Sequence, residues 1–125
     1  AWIAKLIGTA VAAADMGWVA SFVLISLIYI YSHYCFASVT ARISAMYAAF
    51  VAVAAACGVP AMLVAITFGC FANLTHYGNG CGPVYFGAGY VSQGEWWRNG
   101  FIITTINVVI WLTIGMTWWK FIGLY

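Results

Sequence analysis

Long stretches of this chain carry no charge, and their lengths restrict what it can fold into. The charged residues are Lys5, Asp15, Arg42, Glu95, Arg98 and Lys120. None lies between Asp15 and Arg42, between Arg42 and Glu95, or between Arg98 and Lys120. A helix crossing a bilayer needs about 20 apolar residues, so the first and last gaps hold one such unit each and the middle gap two. The chain is 66% hydrophobic and 5% charged, with a mean hydropathy of +1.03. A soluble domain is about a quarter charged, and this chain could not cover a surface facing water. In hydrocarbon every backbone polar group must be satisfied internally, and long apolar runs do this as helices. The expected fold is an all-α integral membrane protein.

Several functions are excluded early. A net charge of +2 without a basic run gives no footprint for nucleic acid. Cys35, Cys57, Cys70 and Cys81 form no CxxC pair and read as small apolar residues. No carboxylate pair, no nucleophile beside a base and no metal-ligand cluster is present, so an enzyme is not expected. No signal peptide is visible, and the first residue is Ala1, so the chain reads as a piece of something longer.

Punctuation along the chain divides it. Residues 1–16 read as a helix end closed by Asp15. Residues 17–57 read as a helical hairpin whose tip is the polar cluster near 38–40, Ser38-Val39-Thr40; re-entrant and fully spanning forms are both compatible with its length. Gly58 and Pro60 then stop one helix and start another. Residues 60–91 read as a broken, discontinuous transmembrane helix, unwound at 75–83, where Gly78, Gly80, Gly82 and Pro83 cannot stay helical. Residues 99–122 read as the last span. Glu95-Trp96-Trp97-Arg98 and Trp118-Trp119-Lys120 flank it as aromatic and cationic interfacial belts. Arg98 and Lys120 lie at opposite ends, so positive charge does not orient it.

Unwound backbone at membrane depth is tolerated where it lines a cavity, and in transporters such breaks mark the binding site. That reasoning selects candidates before any comparison. Thr75, His76, Gly78, Asn79 and Gly80 come from the break, the glycines for close backbone approach and the Asn79 amide for a carboxylate oxygen. Ser38 and Thr40 offer hydroxyls from the hairpin tip. Arg42 is an intramembrane charge, which defaults to a functional role as an attractor of anions, with snorkelling as the alternative. His76 is a candidate donor or proton sensor, and His33 reads as packing. Asn73-Leu74-Thr75 matches a glycosylation sequon to which a buried segment gives no meaning.

The stretch Thr75-His76-Tyr77-Gly78-Asn79-Gly80 is followed by Pro83-Val84-Tyr85-Phe86-Gly87-Ala88-Gly89-Tyr90-Val91 and by Ser92-Gln93-Gly94-Glu95-Trp96-Trp97. Together they resemble the C-terminal motif of the divalent anion/sodium symporter family, in its citrate/succinate and 2-oxoglutarate/malate translocator branch. His33-Tyr34-Cys35-Phe36-Ala37-Ser38-Val39-Thr40-Ala41 resembles the stretch carrying that branch's hairpin-tip signature. The resemblance implies one inverted repeat of an elevator-type transporter, in which the substrate sits between hairpin tip and broken helix. It implies residues 92–100 inside and the C-terminus outside, a homodimer in the full-length protein and a first repeat that precedes this one. Two positions depart from the family pattern: Val39 stands where the signature has Asn, and Asn79 where Thr is common.

The leading expectation is therefore the C-terminal part of a secondary transporter for di- and tricarboxylates (citrate, succinate, malate, 2-oxoglutarate). It would work by anion exchange, since the missing tip amide leans away from sodium. No cofactor is expected. The alternative is a sodium-coupled dicarboxylate symporter, with Ser38 and Gly78 as cation ligands. A further alternative is a non-transporting membrane subunit or truncated fragment. A channel is disfavoured, because a filter needs a full span after it and only a short piece follows Pro83. The expected partners are small carboxylate anions and the lipid bilayer, and the expected location is a bacterial inner membrane, crossed several times.

Overall fold

In a computed structural model of the chain, residues 6, 8–10, 17–72 and 74–125 are described. Most of the expected helix end over 1–16 lies outside them, as do Lys5, Asp15 and Asn73. Every regular element among the described residues is helical, and the protein is an all-α integral membrane protein. Helix α1 (Trp18–Tyr31) runs into a 3₁₀ turn (Ser32–Cys35), and α2 (Val39–Ala56) returns. Helix α3 (Ala61–Phe71) stops early, and a six-residue α4 (Gly82–Gly87) follows the break. Helix α5 (Gln93–Ile110), a π-helical turn (Trp111–Gly115) and α6 (Met116–Phe121) form one rod.

Several boundaries differ from the sequence reading, for local reasons. Helix α2 begins at Val39, placing Thr40 in its first turn, because the Ser38 hydroxyl accepts from the Ala41 N–H at 3.4 Å as N-cap. The helix after the break resumes at Gly82, where the Asn79 Oδ1 accepts the Gly82 N–H at 2.7 Å. It ends at Gly87, well before Val91. The last helix starts at Gln93, because Ser92 and Glu95 form a capping box there. Ser92–Glu95 is thus a helix start.

Three stretches are long and apolar enough to cross a membrane: Trp18–Cys35, Val39–Ala56 and Gln93–Phe121. The last, at 29 residues, is about 43 Å long, while the 11 residues of α3 reach only about 16 Å. Helices α1, α2 and α3 share the core. Phe22, Ile25 and Tyr29 of α1, Phe50 and Ala54 of α2, and Leu63, Val64 and Phe68 of α3 are buried, and Tyr29 stacks on Phe68 with ring centroids 4.5 Å apart. The α5 face carrying Ile102, Ile103, Ile106 and Val109 is exposed, as a lipid-facing helix requires. Hydroxyls along the rod bond back to the turn before, Thr105 of α5 to the Phe101 carbonyl at 2.9 Å and Thr113 of the π-helical turn to that of Val109 at 2.6 Å.

Helix α5 serves as a ruler for the rest. The Tyr31 hydroxyl pairs with that of Thr105 at 2.8 Å, Phe71 meets Trp111 at 6.3 Å, and Thr104 donates to the Leu74 carbonyl at 3.2 Å. At the other end, Trp18 packs edge-on against Tyr125 at 5.1 Å. Helix α1 therefore runs antiparallel to the rod. Its hairpin tip stops beside Trp97 and Phe101, with Tyr34 at 5.9 and 6.1 Å from those rings, short of the rod's end at Ser92.

Candidate functional site

The hairpin tip and the unwound segment touch. The Val39 N–H donates to the Gly78 carbonyl at 3.1 Å. Gly78 has φ +77, and a Cβ there would sit 3.3 Å from both the Ala37 oxygen and the Val39 nitrogen. Both the backbone angle and the close approach require glycine. Gly78→Ala is expected to cost about 1–2 kcal/mol of backbone strain and to push the tip off the segment. Thermal unfolding in detergent should read this as a lowered midpoint relative to the unmodified protein.

Two spaces flank this contact. A cavity of about 550 Å³ is lined by Ala37, Tyr77, Gly78, Asn79, Gly80, Gly82, Pro83, Phe86, Gln93, Trp96 and Trp97, within the usual size range for small-molecule sites. A crevice too narrow for water lies at the seam, among His33, Phe36, Ser38, Val39, Arg42, Thr75, Tyr77 and Gly78. Of the sequence candidates, Gly78, Asn79 and Gly80 line the cavity, while Ser38, Arg42, Thr75 and Gly78 line the crevice. Thr40 is exposed and lines neither. His76 also lines neither. Its ring packs against Trp97 at 5.2 Å and Tyr34 at 5.9 Å, and both ring nitrogens are buried without a partner.

Asn79 holds the break together as well as facing the cavity. Its Oδ1 is taken by the Gly82 N–H, and its Nδ2 donates to the Thr75 carbonyl at 3.4 Å. The Thr75 hydroxyl is buried without a partner.

Arg42 neither snorkels nor opens into the cavity: it is 0% exposed. Its Nη1 donates to the Tyr29 and Ile30 carbonyls at 3.5 and 3.4 Å. Its Nη2 donates to those of Phe71 and Ala72, both at 3.4 Å. These oxygens belong to the C-terminal ends of α1 and α3, which carry the negative end of the dipole; the Tyr29 carbonyl also accepts from the Ser32 hydroxyl at 2.6 Å, that of Ile30 from His33, and that of Phe71 from the Leu74 N–H at 3.3 Å. One guanidinium thus ties two helix C-termini together beneath the tip. It also lies over the Tyr29 ring, 5.1 Å from the centroid. Among the described residues the one acid is Glu95, which is bonded to Ser92, so no carboxylate there neutralises Arg42.

The family profile described as "Sodium:sulfate symporter transmembrane region" matches residues 1–125. The chain belongs to that family. It is 44% identical over 128 residues to "Dicarboxylate transporter 1, chloroplastic" of Spinacia oleracea, an alignment covering 99% of this chain and 22% of that protein. It is 39% identical over 128 residues to "Dicarboxylate transporter 2.1, chloroplastic" of Arabidopsis thaliana, covering 99% and 23%. It is 37% identical over 124 residues to "Inner membrane protein YbhI" of Escherichia coli (strain K12), covering 95% and 26%. The chain spans about a quarter or less of the length of these curated relatives. The family and its dicarboxylate transporters are transporters and not enzymes.

Sequence reasoning missed part of this family member's cavity wall. Tyr77, Phe86, Gln93, Trp96 and Trp97 line it, yet from sequence the Trp pair reads as an interfacial anchor. Trp97 lies 4.8 Å from the Tyr77 ring, and Tyr77 donates its hydroxyl to the His33 carbonyl. The available signal was the capping box: a helix starting at Gln93 puts Gln93, Trp96 and Trp97 on one face at i, i+3 and i+4.

Proposed function

We propose that this chain is the C-terminal part of a secondary transporter that moves di- and tricarboxylates (citrate, succinate, malate, 2-oxoglutarate) by anion exchange. The observation that carries the reading is the junction of hairpin tip and unwound segment, held by Val39 on Gly78, beside a glycine-lined cavity and over a buried arginine that no carboxylate among the described residues neutralises. The N-terminus of α2, capped by Ser38, adds the positive end of a helix dipole. The printed names of the dicarboxylate-transporting relatives support the substrate class.

Exchange is favoured over sodium coupling because the oxygens at the tip are engaged. The Gly78 carbonyl accepts from Val39, the Ser38 hydroxyl accepts from Ala41, and Val39 brings no side-chain oxygen. Four nearby carbonyls already face a fixed cation, Arg42. These engagements support exchange, while the unpartnered Thr75 hydroxyl and the family's name favour the symport alternative.

In this reading the hairpin is re-entrant, with α1 and α2 entering and leaving on the side of Trp118, and the chain crosses the membrane more than once. The substrate sits between tip and break and is carried across as an elevator with this unit. The rest of the protein supplies a first repeat and the homodimer contact. Residence in a bacterial inner membrane is supported by the Escherichia coli relative's name, while the plant relatives' names place them in chloroplasts.

The test is counterflow in proteoliposomes holding the complete protein. Vesicles loaded with unlabelled malate should take up labelled 2-oxoglutarate, without sodium, and empty vesicles should not. Sodium-driven uptake into empty vesicles would replace exchange with symport. No uptake of any dicarboxylate under either condition would remove the substrate class.

A further inference from the structure

Far from the tip, a second hollow opens where the rod ends. An open groove of about 960 Å³ lies between the start of α1 at Val19 and the π-helical turn and α6, walled by Leu112, Ile114, Trp118 and Phe121, with Lys120 among its lining residues. Tyr125 folds back to line it as well, its hydroxyl donating to the Met116 carbonyl at 2.7 Å. Ile114, Trp118 and Phe121 are 66%, 59% and 81% exposed. The π turn places this hollow: Thr113 inside it shares its hydroxyl between the Val109 and Ile110 carbonyls, and such turns interrupt the regular face of a helix.

Its depth in the membrane follows from length. The rod's 29 residues reach about 43 Å, while a bilayer is about 30 Å of hydrocarbon and about 40–45 Å with its headgroups. The capping box at Ser92 therefore lies in one headgroup layer and Lys120 in the other. The groove descends from the headgroup layer into hydrocarbon beside Lys120, the one cation among its described lining residues. Among the described residues, the acid Glu95 is at the far end of the same rod, so none of the described carboxylates lies beside Lys120. An apolar slot topped by one cation at headgroup depth matches one phospholipid with an anionic headgroup.

We propose that this groove holds an anionic phospholipid, its acyl chain along Leu112, Ile114 and Phe121 and its phosphate on Lys120. The test uses the complete protein in phosphatidylcholine nanodiscs carrying increasing fractions of a lipid brominated on its acyl chain. Quenching of Trp118 fluorescence is read as the difference from a Trp118→Phe variant. Brominated phosphatidylglycerol should quench at about fivefold lower mole fraction than brominated phosphatidylcholine, the preference that one lysine near an anionic surface supplies. Lys120→Gln should make the two lipids equal while leaving quenching by brominated phosphatidylcholine intact, and Lys120→Arg should keep the preference. Equal quenching in the unmodified protein overturns the proposal, as does a preference that survives Lys120→Gln. Absence of quenching by either lipid overturns it too, since another part of the protein would then cover the groove.

Discussion

Gly100→Ala is expected to abolish anion uptake, and adding His76→Ala to that variant is expected to restore part of it. A Cβ at Gly100 would overlap the His76 ring, with even Nδ1 only 2.6 Å away. The overlapped atoms include the ring carbon nearest the backbone, so a rotation of the ring tip cannot relieve the clash. The ring is also crowded by other rings, with Tyr77 at 5.0 Å, Trp97 at 5.2 Å and His33 at 6.1 Å. The unwound segment itself must shift away from α5. Overpacking of this kind costs about 1–3 kcal/mol in stability. The larger effect falls on function, because Tyr77 and Gly78 follow His76 directly and line the cavity. Misplacing a site by about 1 Å can cost about 100-fold in rate. Labelled dicarboxylate uptake by the complete protein in proteoliposomes reads both variants. Normal uptake by Gly100→Ala would mean the ring is not seated there. A double variant no better than the single would place the defect in α5 rather than in the notch.

The second large effect is on Arg42. Arg42→Met keeps the stem and removes the donors, leaving the Tyr29, Ile30, Phe71 and Ala72 carbonyls without that partner in a medium that supplies no water. Hydrogen bonds to a charged group contribute about 1.5–3 kcal/mol each. These four are long, so about 3 kcal/mol in all is a reasonable total. Arg42→Lys should fall between, since one ammonium lacks the planar fork that reaches both helix ends at once. Thermal unfolding in detergent should rank the unmodified protein above Arg42→Lys, and Arg42→Met last, with uptake lost in Arg42→Met. If Arg42→Met unfolded at the unmodified temperature, the clamp would carry no energy.

These two residues also show how far the sequence could be read. Arg42 stood out because a lone charge in an apolar run needs a reason. Its partners are main-chain carbonyls on α1 and α3, and a carbonyl is common to every residue, so no residue type announces it. Gly100 gave no signal, because its role is an absence of atoms opposite a ring brought in from another segment. Thr40 was selected with Ser38 as one polar cluster, yet the N-cap at Ser38 turns the chain helical at Val39, and Thr40 faces out.

By itself the sequence determined the solvent, the helical class and the existence of a break, but not its bounds, since it placed the unwound stretch at 75–83 and the helices stop at Phe71 and resume at Gly82. Each follows from local physics: uncharged runs demand hydrocarbon, and glycine with proline cannot continue a helix. Only the tertiary structure decided that the hairpin tip rests on Gly78, that Trp96 and Trp97 wall the cavity, and that Arg42 joins two helix ends. Those contacts depend on where separate helices stop along a shared axis. That depth is set by packing of α1, α2 and α3 against one another, which no single segment encodes.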